Sequence, residues 1–281
     1  MKAGYLANRF QIIRHLADDK YTAHVNINND TLHLMGWMDV AAEPVIVSVP
    51  DHDDGRYWVL HTLPFHDIRA LENIHELEEG SDGAGGEGRV LLHAAAGCAA
   101  LRLEPLLADR HWSFVMVPDE KQGFEFVTEE AVQIDRRAAA WFFFTFYPRV
   151  MMARRVGTVY LTPTADRTGQ PLEPGRNYRL RVPRYVPARQ FWSLTLYDNA
   201  TWAFILNPKV RNGLGSLDRD SMKVNGDGSV DLCFDPDAPA GFESNWLPTM
   251  GKKPYLWFRL YAPAEAFWDK SFVLPDVERV G

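Results

Sequence analysis

Two stretches decide the fold: Gln190-Phe191-Trp192-Ser193-Leu194-Thr195-Leu196-Tyr197-Asp198 and Tyr255-Leu256-Trp257-Phe258-Arg259-Leu260-Tyr261. Both alternate with the two-residue period of a strand. In the first, Trp192, Leu194 and Leu196 share one face, and Phe191, Ser193, Thr195 and Tyr197 the other. In the second, Leu256, Phe258 and Leu260 lie opposite Tyr255, Trp257, Arg259 and Tyr261. Each strand therefore has an aliphatic face for a core and a second face of hydroxyls, aromatics and one arginine. As neighbours, the strands would merge Ser193, Thr195, Tyr197, Arg259 and Tyr261 into one patch of the kind that binds a small molecule. The same residues would otherwise face solvent on the outside of a sandwich. Trp257 and the tyrosines favour the pocket, because large aromatics on an open face usually have something to cover.

Around these strands the composition is that of a loop-rich β protein. The chain of 281 residues has nine Trp and eighteen Pro, at 46% hydrophobic and 24% charged residues. Turn signals at Asn207-Pro208, Asn212-Gly213 and Asn225-Gly226-Asp227-Gly228 have the spacing of a sandwich, with Ser229 to Phe234 as the strand after the last. A net charge of −7 and a pI near 5.7 argue against nucleic acid, which demands a concentrated basic surface. The basic cluster Arg149, Arg154 and Arg155 falls where a helix should end. Cys98 and Cys233 share no metal or redox spacing and read as reduced, packed thiols. The first residues lack an apolar signal core, and no apolar run reaches the ~18 residues of a membrane span, so the expected location is the cytoplasm.

Taken in order, residues 5 to 17 read as a short amphipathic helix or an irregular lead-in, with Leu6, Phe10, Ile13 and Leu16 at helical spacing. Asn26-Ile27-Asn28-Asn29-Asp30-Thr31 reads as an Asx-rich turn, or as a dense polar set forming part of a site at a strand mouth. Strands are expected at 32–38, 44–49, 56–63, 90–93, 99–103 and 112–117. Residues 80–88 are a Gly-rich loop without the strand, helix or Lys-Ser/Thr of a phosphate cradle. Thr128 caps a helix over roughly 129–153, with Glu129 and Glu130 in its first turn. Its run Ala138 to Tyr147 is apolar all round, as in a helix sandwiched between layers, and Pro148 should kink it. Further strands are expected at 158–162 and 177–182, and the tail from Phe267 as an extended wrap.

The chemistry is less sharply marked. A G-x-S-x-G nucleophile elbow is missing, which excludes an α/β-hydrolase, and no HExxH occurs. His24, His33, His61 and His66 crowd into a short span of strand-like sequence, where a jelly roll could gather metal ligands. His61 and His66 are also candidate general acid/base groups, since histidine alone has an unperturbed pKa near neutrality, and Asp30, Asp39 or Asp67 could orient one of them.

Phe191-Trp192-Ser193-Leu194-Thr195-Leu196-Tyr197-Asp198, Asn207-Pro208, Asp227-Gly228-Ser229, Asn245-Trp246-Leu247-Pro248 and Arg259-Leu260-Tyr261-Ala262-Pro263 closely resemble domain-of-unknown-function family 1214. Asn28-Asn29-Asp30-Thr31-Leu32, Trp37-Met38-Asp39-Val40, Pro44-Val45 and Pro50 with Arg56-Tyr57 resemble its usual companion, family 1254. The resemblance implies two jelly-roll-like β domains joined by helices, and an enzymatic role. Where relatives usually carry a tyrosine after Asn-Asp-Thr-Leu, this chain has His33, and Leu63-Pro64-Phe65-His66-Asp67 replaces their usual Asp with a Thr-Asn stretch.

The expected fold is mainly β: two jelly-roll-like β-sandwich domains, 1–127 and 156–281, joined by a buried helical connector, 128–155. The expected function is that of a cofactor-independent hydrolase or lyase acting on a small aromatic or polycyclic molecule. His61, His66, Asp30 and His33 are the catalytic candidates, and Asn28, Trp37, Ser193, Thr195, Tyr197, Trp257, Arg259 and Tyr261 the substrate-binding ones, with no metal and no cofactor. The expected partner is the substrate alone, without nucleic acid or membrane and with homo-oligomers open. The alternatives are a non-catalytic ligand-binding or assembly jelly roll and a cupin-like metal enzyme.

Overall fold

A computed structural model describes residues 9–12, 14–16, 28–32, 34–38, 45–48, 105–114, 155 and 157–281. Among the described residues eleven strands run in chain order: β1 (Arg9–Ile12), β2 (Leu34–Trp37), β3 (Trp112–Phe114), β4 (Thr158–Pro163), β5 (Asn177–Val182), β6 (Trp192–Asp198), β7 (Gly213–Gly215), β8 (Val230–Asp235), β9 (Trp246–Pro248), β10 (Pro254–Tyr261) and β11 (Glu278–Val280). A short α-helix, α1 (Glu265–Trp268), leads into the tail. The chain is mainly β, as its alternating pattern requires. The helical connector expected at 128–155 lies outside the described residues except for Arg155.

Two sheets form a sandwich. One has the order β3-β4-β10-β6-β7, the other β11-β5-β8-β9. The aliphatic faces read from sequence meet between them: Trp192, Leu194, Leu196, Leu256, Phe258 and Leu260 share one buried cluster with Leu180, Val182, Val230, Leu232 and Phe234 of the opposite sheet. The register of β10 on β6 sets Leu256 beside Leu196, Phe258 beside Leu194 and Leu260 beside Trp192. Trp192 stacks on Phe258 at 5.4 Å, and Trp112 meets that ring edge-on at 6.1 Å. Each such side chain contributes roughly 1.5–3 kcal/mol by leaving water.

The same register decides what the outer face does. It sets Tyr255 beside Tyr197, Trp257 beside Thr195 and Arg259 beside Ser193, so the polar and aromatic side chains form one continuous strip. Apart from half-buried Tyr255 that strip is buried too, as are all seven residues of β6. The outer face is thus an interior surface rather than a solvated one.

Near the N-terminus the helix or irregular lead-in expected over residues 5–17 gives way to β1, which pairs antiparallel with β2. Phe10 and Ile12 alternate with Arg9 and Gln11, and a paired edge satisfies backbone groups that so short a helix would leave open. Residues 45–48, expected within a strand, are irregular, and Ile46 is 87% exposed. At the other end the wrap is partly regular: the tail forms α1, then β11 pairs with β5. Asp276 fastens it by accepting the His111 backbone N–H at 2.8 Å, and Pro275 accepts the Trp112 indole N–H at 2.8 Å.

Two glycines set the approach of neighbouring segments. At Gly215 a Cβ would sit 2.4 Å from the Trp192 carbonyl oxygen, so β7 reaches β6 only with glycine there. At Gly213 a Cβ would crowd the Asn29 side chain at 3.2 Å, so this glycine lets the Asn28–Thr31 turn settle on the sheet.

Buried polar groups complete the C-terminal domain. Asn245, 0% exposed, accepts from the Lys223 backbone N–H at 2.7 Å and donates to the carbonyls of Lys223 and Asp231, each at 2.9 Å. Asn245→Ala would strand those partners, and we expect it to lower the unfolding free energy by roughly 2–3 kcal/mol in urea titrations. Burial raises the Asp235 carboxyl to about 6, only partly opposed by the Tyr178 backbone N–H that it accepts. The folded state therefore holds a proton that the unfolded chain gives up near pH 4. Asp235 thus favours folding below that pH, and its contribution fades as the pH rises from about 4 to 6. Denaturation across that window should show Asp235→Asn lacking a fall on the order of 2 kcal/mol that the wild type carries.

Candidate functional site

The site begins with a turn. The Asp30 backbone N–H donates to Asn28 Oδ1 at 2.6 Å, which is the Asx turn expected of this sequence. The turn also delivers its side chains to the outer strip of β10 and β6. Asn28 Nδ2 donates to the Tyr261 hydroxyl at 3.0 Å, and Thr195 Oγ1 donates to Asn29 Oδ1 at 3.4 Å.

Asp30 is the point of convergence. Its Oδ2 accepts from Ser193 Oγ, from the Tyr261 hydroxyl at 3.0 Å and from Arg259 Nη1 at 3.4 Å. No described residue donates to its other oxygen, Oδ1. The Asp30 side chain is 12% exposed, whereas the Arg259 side chain is 0% exposed. The buried network therefore comes nearest to solvent along the Asn28–Thr31 turn, all four of whose residues are half-buried.

Arg259 is held on every side. Nη1 donates to Thr195 Oγ1, and Nη2 donates to the Tyr197 hydroxyl at 2.6 Å. Its guanidinium carbon lies 5.4 Å from the Trp257 ring centroid, 5.5 Å from that of Tyr160 and 6.0 Å from that of Tyr197, so aromatic faces add cation–π attraction. Burial opposes its charge, but the oxygens of Tyr197, Asp30 and Tyr261 outweigh it and push the pKa upward, so Arg259 stays cationic. Burial pushes the Tyr197 hydroxyl up despite nearby Arg259, and burial followed by the Asp30 charge does the same for Tyr261. Both phenols are therefore proton donors at neutral pH.

Eight of the sequence-derived candidates can be placed: Asn28, Asp30, Ser193, Thr195, Tyr197, Trp257, Arg259 and Tyr261 belong to this one cluster. Trp37 lies in β2, with its side chain outside the described residues, and His33, His61 and His66 lie outside them altogether. Tyr160 was missed. It sits across from Arg259 in the β4–β10 register and meets Trp257 edge-on at 5.7 Å. The signal was present, because the period-2 rule in Thr158-Val159-Tyr160-Leu161 sets Tyr160 opposite the core residues Val159 and Leu161. Also missed was His111, whose Nδ1 lies 3.3 Å from Asp276 Oδ2. Since Asp276 also holds the His111 backbone, that pair anchors the tail. Among the described residues no group of three His, Cys, Asp or Glu side chains is arranged to hold a metal ion, and no helix is long and apolar enough to cross a membrane.

These features define a β-sandwich protein with a buried arginine–carboxylate–tyrosine network on the outer face of one sheet. The chain carries the segments of two families of unknown function in tandem. Protein of unknown function (DUF1254) matches residues 7–136 and Protein of unknown function (DUF1214) matches residues 157–265. Among curated proteins there is no match. The crystal structure of the VPA0106 protein from Vibrio parahaemolyticus is similar over 81% of this chain and 60% of its own, at 16% identity and a TM-score of 0.42. That of an uncharacterised protein from Burkholderia cenocepacia is similar over 76% of this chain and 48% of its own, at 14% identity and a TM-score of 0.30. The chain thus spans less than two thirds of either solved protein.

If Asp30 compensates the Arg259 charge, removing one partner alone leaves the other buried and unpaired. Arg259→Met is expected to cost about 3–5 kcal/mol. Asp30→Asn should cost less, because the amide keeps an acceptor for the same donors. In a double-mutant cycle read by urea denaturation, the two effects should fail to add by about 1 kcal/mol or more, whereas additivity would show that the pair is not coupled.

Proposed function

We infer that the protein is a cofactor-independent enzyme of hydrolase or lyase type, acting on a small aromatic or polycyclic molecule where the Asn28–Thr31 turn meets the outer face of β10 and β6. One observation carries this reading: Asp30 is anchored through Oδ2 by three donors, while no described residue donates to Oδ1. That is how a carboxylate is placed when it orients an imidazole, with one oxygen fixed by the scaffold and the other left for the ring N–H. His61 or His66 supplies that imidazole and moves the proton, and His33, three residues after Asp30, is the further candidate.

The energetics point the same way. A buried ion pair with its hydroxyl partners is seldom more stable than an apolar packing of similar volume, so its presence favours a role other than stability. Arg259 with Tyr197 offers a cation and a protonated phenol to a carbonyl or carboxylate oxygen. Trp257 and Tyr160 offer ring faces to a planar body, forming an aromatic pocket once substrate enters. Cytoplasmic work suits the chain, whose described cysteine, Cys233, is a free and buried thiol. A second reading has its own support: Asp30 already pairs with Arg259 and accepts from Ser193 and Tyr261, as it would in a non-catalytic module whose turn is simply latched to the sheet.

The two readings part in kinetics. With a panel of aryl esters as substrates, Asp30→Asn, His61→Ala and His66→Ala should leave a folded protein. Asp30→Asn and one of the two histidine variants should lower kcat by about 100-fold or more. Unchanged turnover in both histidine variants would sink the acid/base assignment. A metal analysis of the purified protein separates out the cupin-like alternative.

A further inference from the structure

Between the turn Asp166–Gln170 and the tail from Glu278 to Gly281 lies a cleft of about 370 Å³. Sites for small molecules run from roughly 300 to 1,000 Å³, so there is room for a small one. No residue of the Arg259 network lines this cleft. The turn is fastened to the tail by the Arg167 backbone N–H, which donates to the Val277 carbonyl at 2.7 Å.

Asp166 is the unusual member of the lining. It is only 2% exposed and still reaches the cleft. Its Oδ1 accepts from the Thr168 hydroxyl at 2.7 Å, the Thr168 backbone N–H at 2.8 Å and the Gln170 backbone N–H at 3.1 Å. Those three bonds complete the turn, and an asparagine oxygen could accept them as well. Oδ2 takes no part in them, and no described residue donates to it. Burial opposes the charge of this carboxyl, but the Thr168 hydroxyl, the backbone N–H groups of Gln170 and Thr168 and the nearby Arg279 charge together hold it below the usual carboxylate range. A carboxylate is thus kept ionised almost out of water, with one oxygen that the turn does not use. Such a group is costly to bury unless something pairs with it.

Two arginines share the lining. Arg167 commits Nε to Glu278 at 3.2 Å, and Arg279 commits Nη1 to Glu173 at 3.5 Å. Both oxygens of Glu278 are engaged, the second by Arg179 Nη2 at 3.0 Å. The other N–H groups of Arg167 and Arg279 have no described acceptor, and neither guanidinium closes an ion pair with Asp166. The cleft therefore offers one open anionic oxygen beside two cations with donors to spare. A simple anion would be repelled by Asp166, and a simple amine by the arginines. A molecule carrying both an ammonium and a carboxylate group matches the set, because guanidinium–carboxylate hydrogen bonds are charge-assisted and directional.

We propose that this cleft binds a free amino acid, with Asp166 Oδ2 accepting from its ammonium group and Arg279 and Arg167 donating to its carboxylate. The inference goes beyond the enzymatic reading and is independent of it.

Calorimetric titration of glycine, L-serine and L-glutamine into the wild type tests the class of ligand. The N-acetyl and carboxamide forms of each delete the ammonium or the carboxylate in turn. At least one of the three should bind saturably, and both of its derivatives about tenfold more weakly or worse. Asp166→Asn keeps the acceptor that the turn requires and removes the open anionic oxygen. Arg279→Gln removes an exposed guanidinium whose one ion pair is long. Each variant should weaken binding about tenfold. In 15N-labelled wild type, the backbone signals of Thr168 and Gln170, both bonded to Asp166, should shift as that amino acid is added. This readout and the derivatives need no variant to fold. The proposal is overturned if none of the three amino acids binds, if either folded variant binds as tightly as wild type, or if the two signals stay still. An N-acetyl form that binds as tightly as its parent would make the cleft a plain anion site, and a carboxamide that does so would make it an amine site; either result also overturns it.

Discussion

A fully buried guanidinium governs how this molecule is put together. Arg259 sits on the outer strip of β10, a position that in a simple sandwich would be wet, and its charge there requires oxygens to replace water. Thr195 and Tyr197 come from the neighbouring strand β6, and Asp30 comes from a turn more than two hundred residues earlier in the chain. The turn is held by the same network that it completes, through Asn28 on Tyr261 and Ser193 on Asp30. Burial of the strip and docking of the turn are thus one event, because neither is tolerable without the other.

The two family segments are joined in a second way. β3 lies inside the segment matched by DUF1254, yet it is the edge strand of the sheet whose other strands lie in the segment matched by DUF1214. Trp112 on that strand is fully buried in the C-terminal core and donates to Pro275 in the tail. An edge strand with open backbone groups invites unwanted pairing, and β3 covers β4 from one side as β7 covers β6 from the other. The C-terminal sheet is completed by residues from the preceding segment, and a boundary drawn between the two families does not divide the hydrogen bonding.

Much of the C-terminal half is legible in the sequence because its signal is local. Period-2 alternation assigns the side chains of Trp192–Tyr197 and Tyr255–Tyr261 to the correct faces of β6 and β10, and the polar patch Ser193, Thr195, Tyr197, Arg259 and Tyr261 follows once the strands are neighbours. What alternation cannot supply is what covers the second face. Solvent and another part of the chain leave the same pattern in β10, and only the contact with Asp30 separates them. The N-terminal stretch fails for a related reason: Leu6, Phe10, Ile13 and Leu16 satisfy a helical period, while Phe10 and Ile12 satisfy a strand, and pairing with β2 decides between them through tertiary context. Tyr160 was in plain view on a recognised strand, but β4 carries no aromatic run to draw attention to its outer face.

The electrostatics of the strip run against those of the whole protein. The chain carries a net charge of −7, which would discourage a free anion from approaching. Within the strip, however, every titratable shift favours the state that donates hydrogen bonds: Arg259 charged, and Tyr197, Tyr255 and Tyr261 protonated. Burial is the first cause of the tyrosine shifts, so the donor-rich character is made by the packing and would dissolve if water entered. Asp30, at the half-buried rim, is then both the charge that makes Arg259 tolerable and the group that any incoming acceptor must work beside. The approach of the Asn28–Thr31 turn to the sheet is eased at Gly213, where a Cβ would crowd the Asn29 side chain at 3.2 Å.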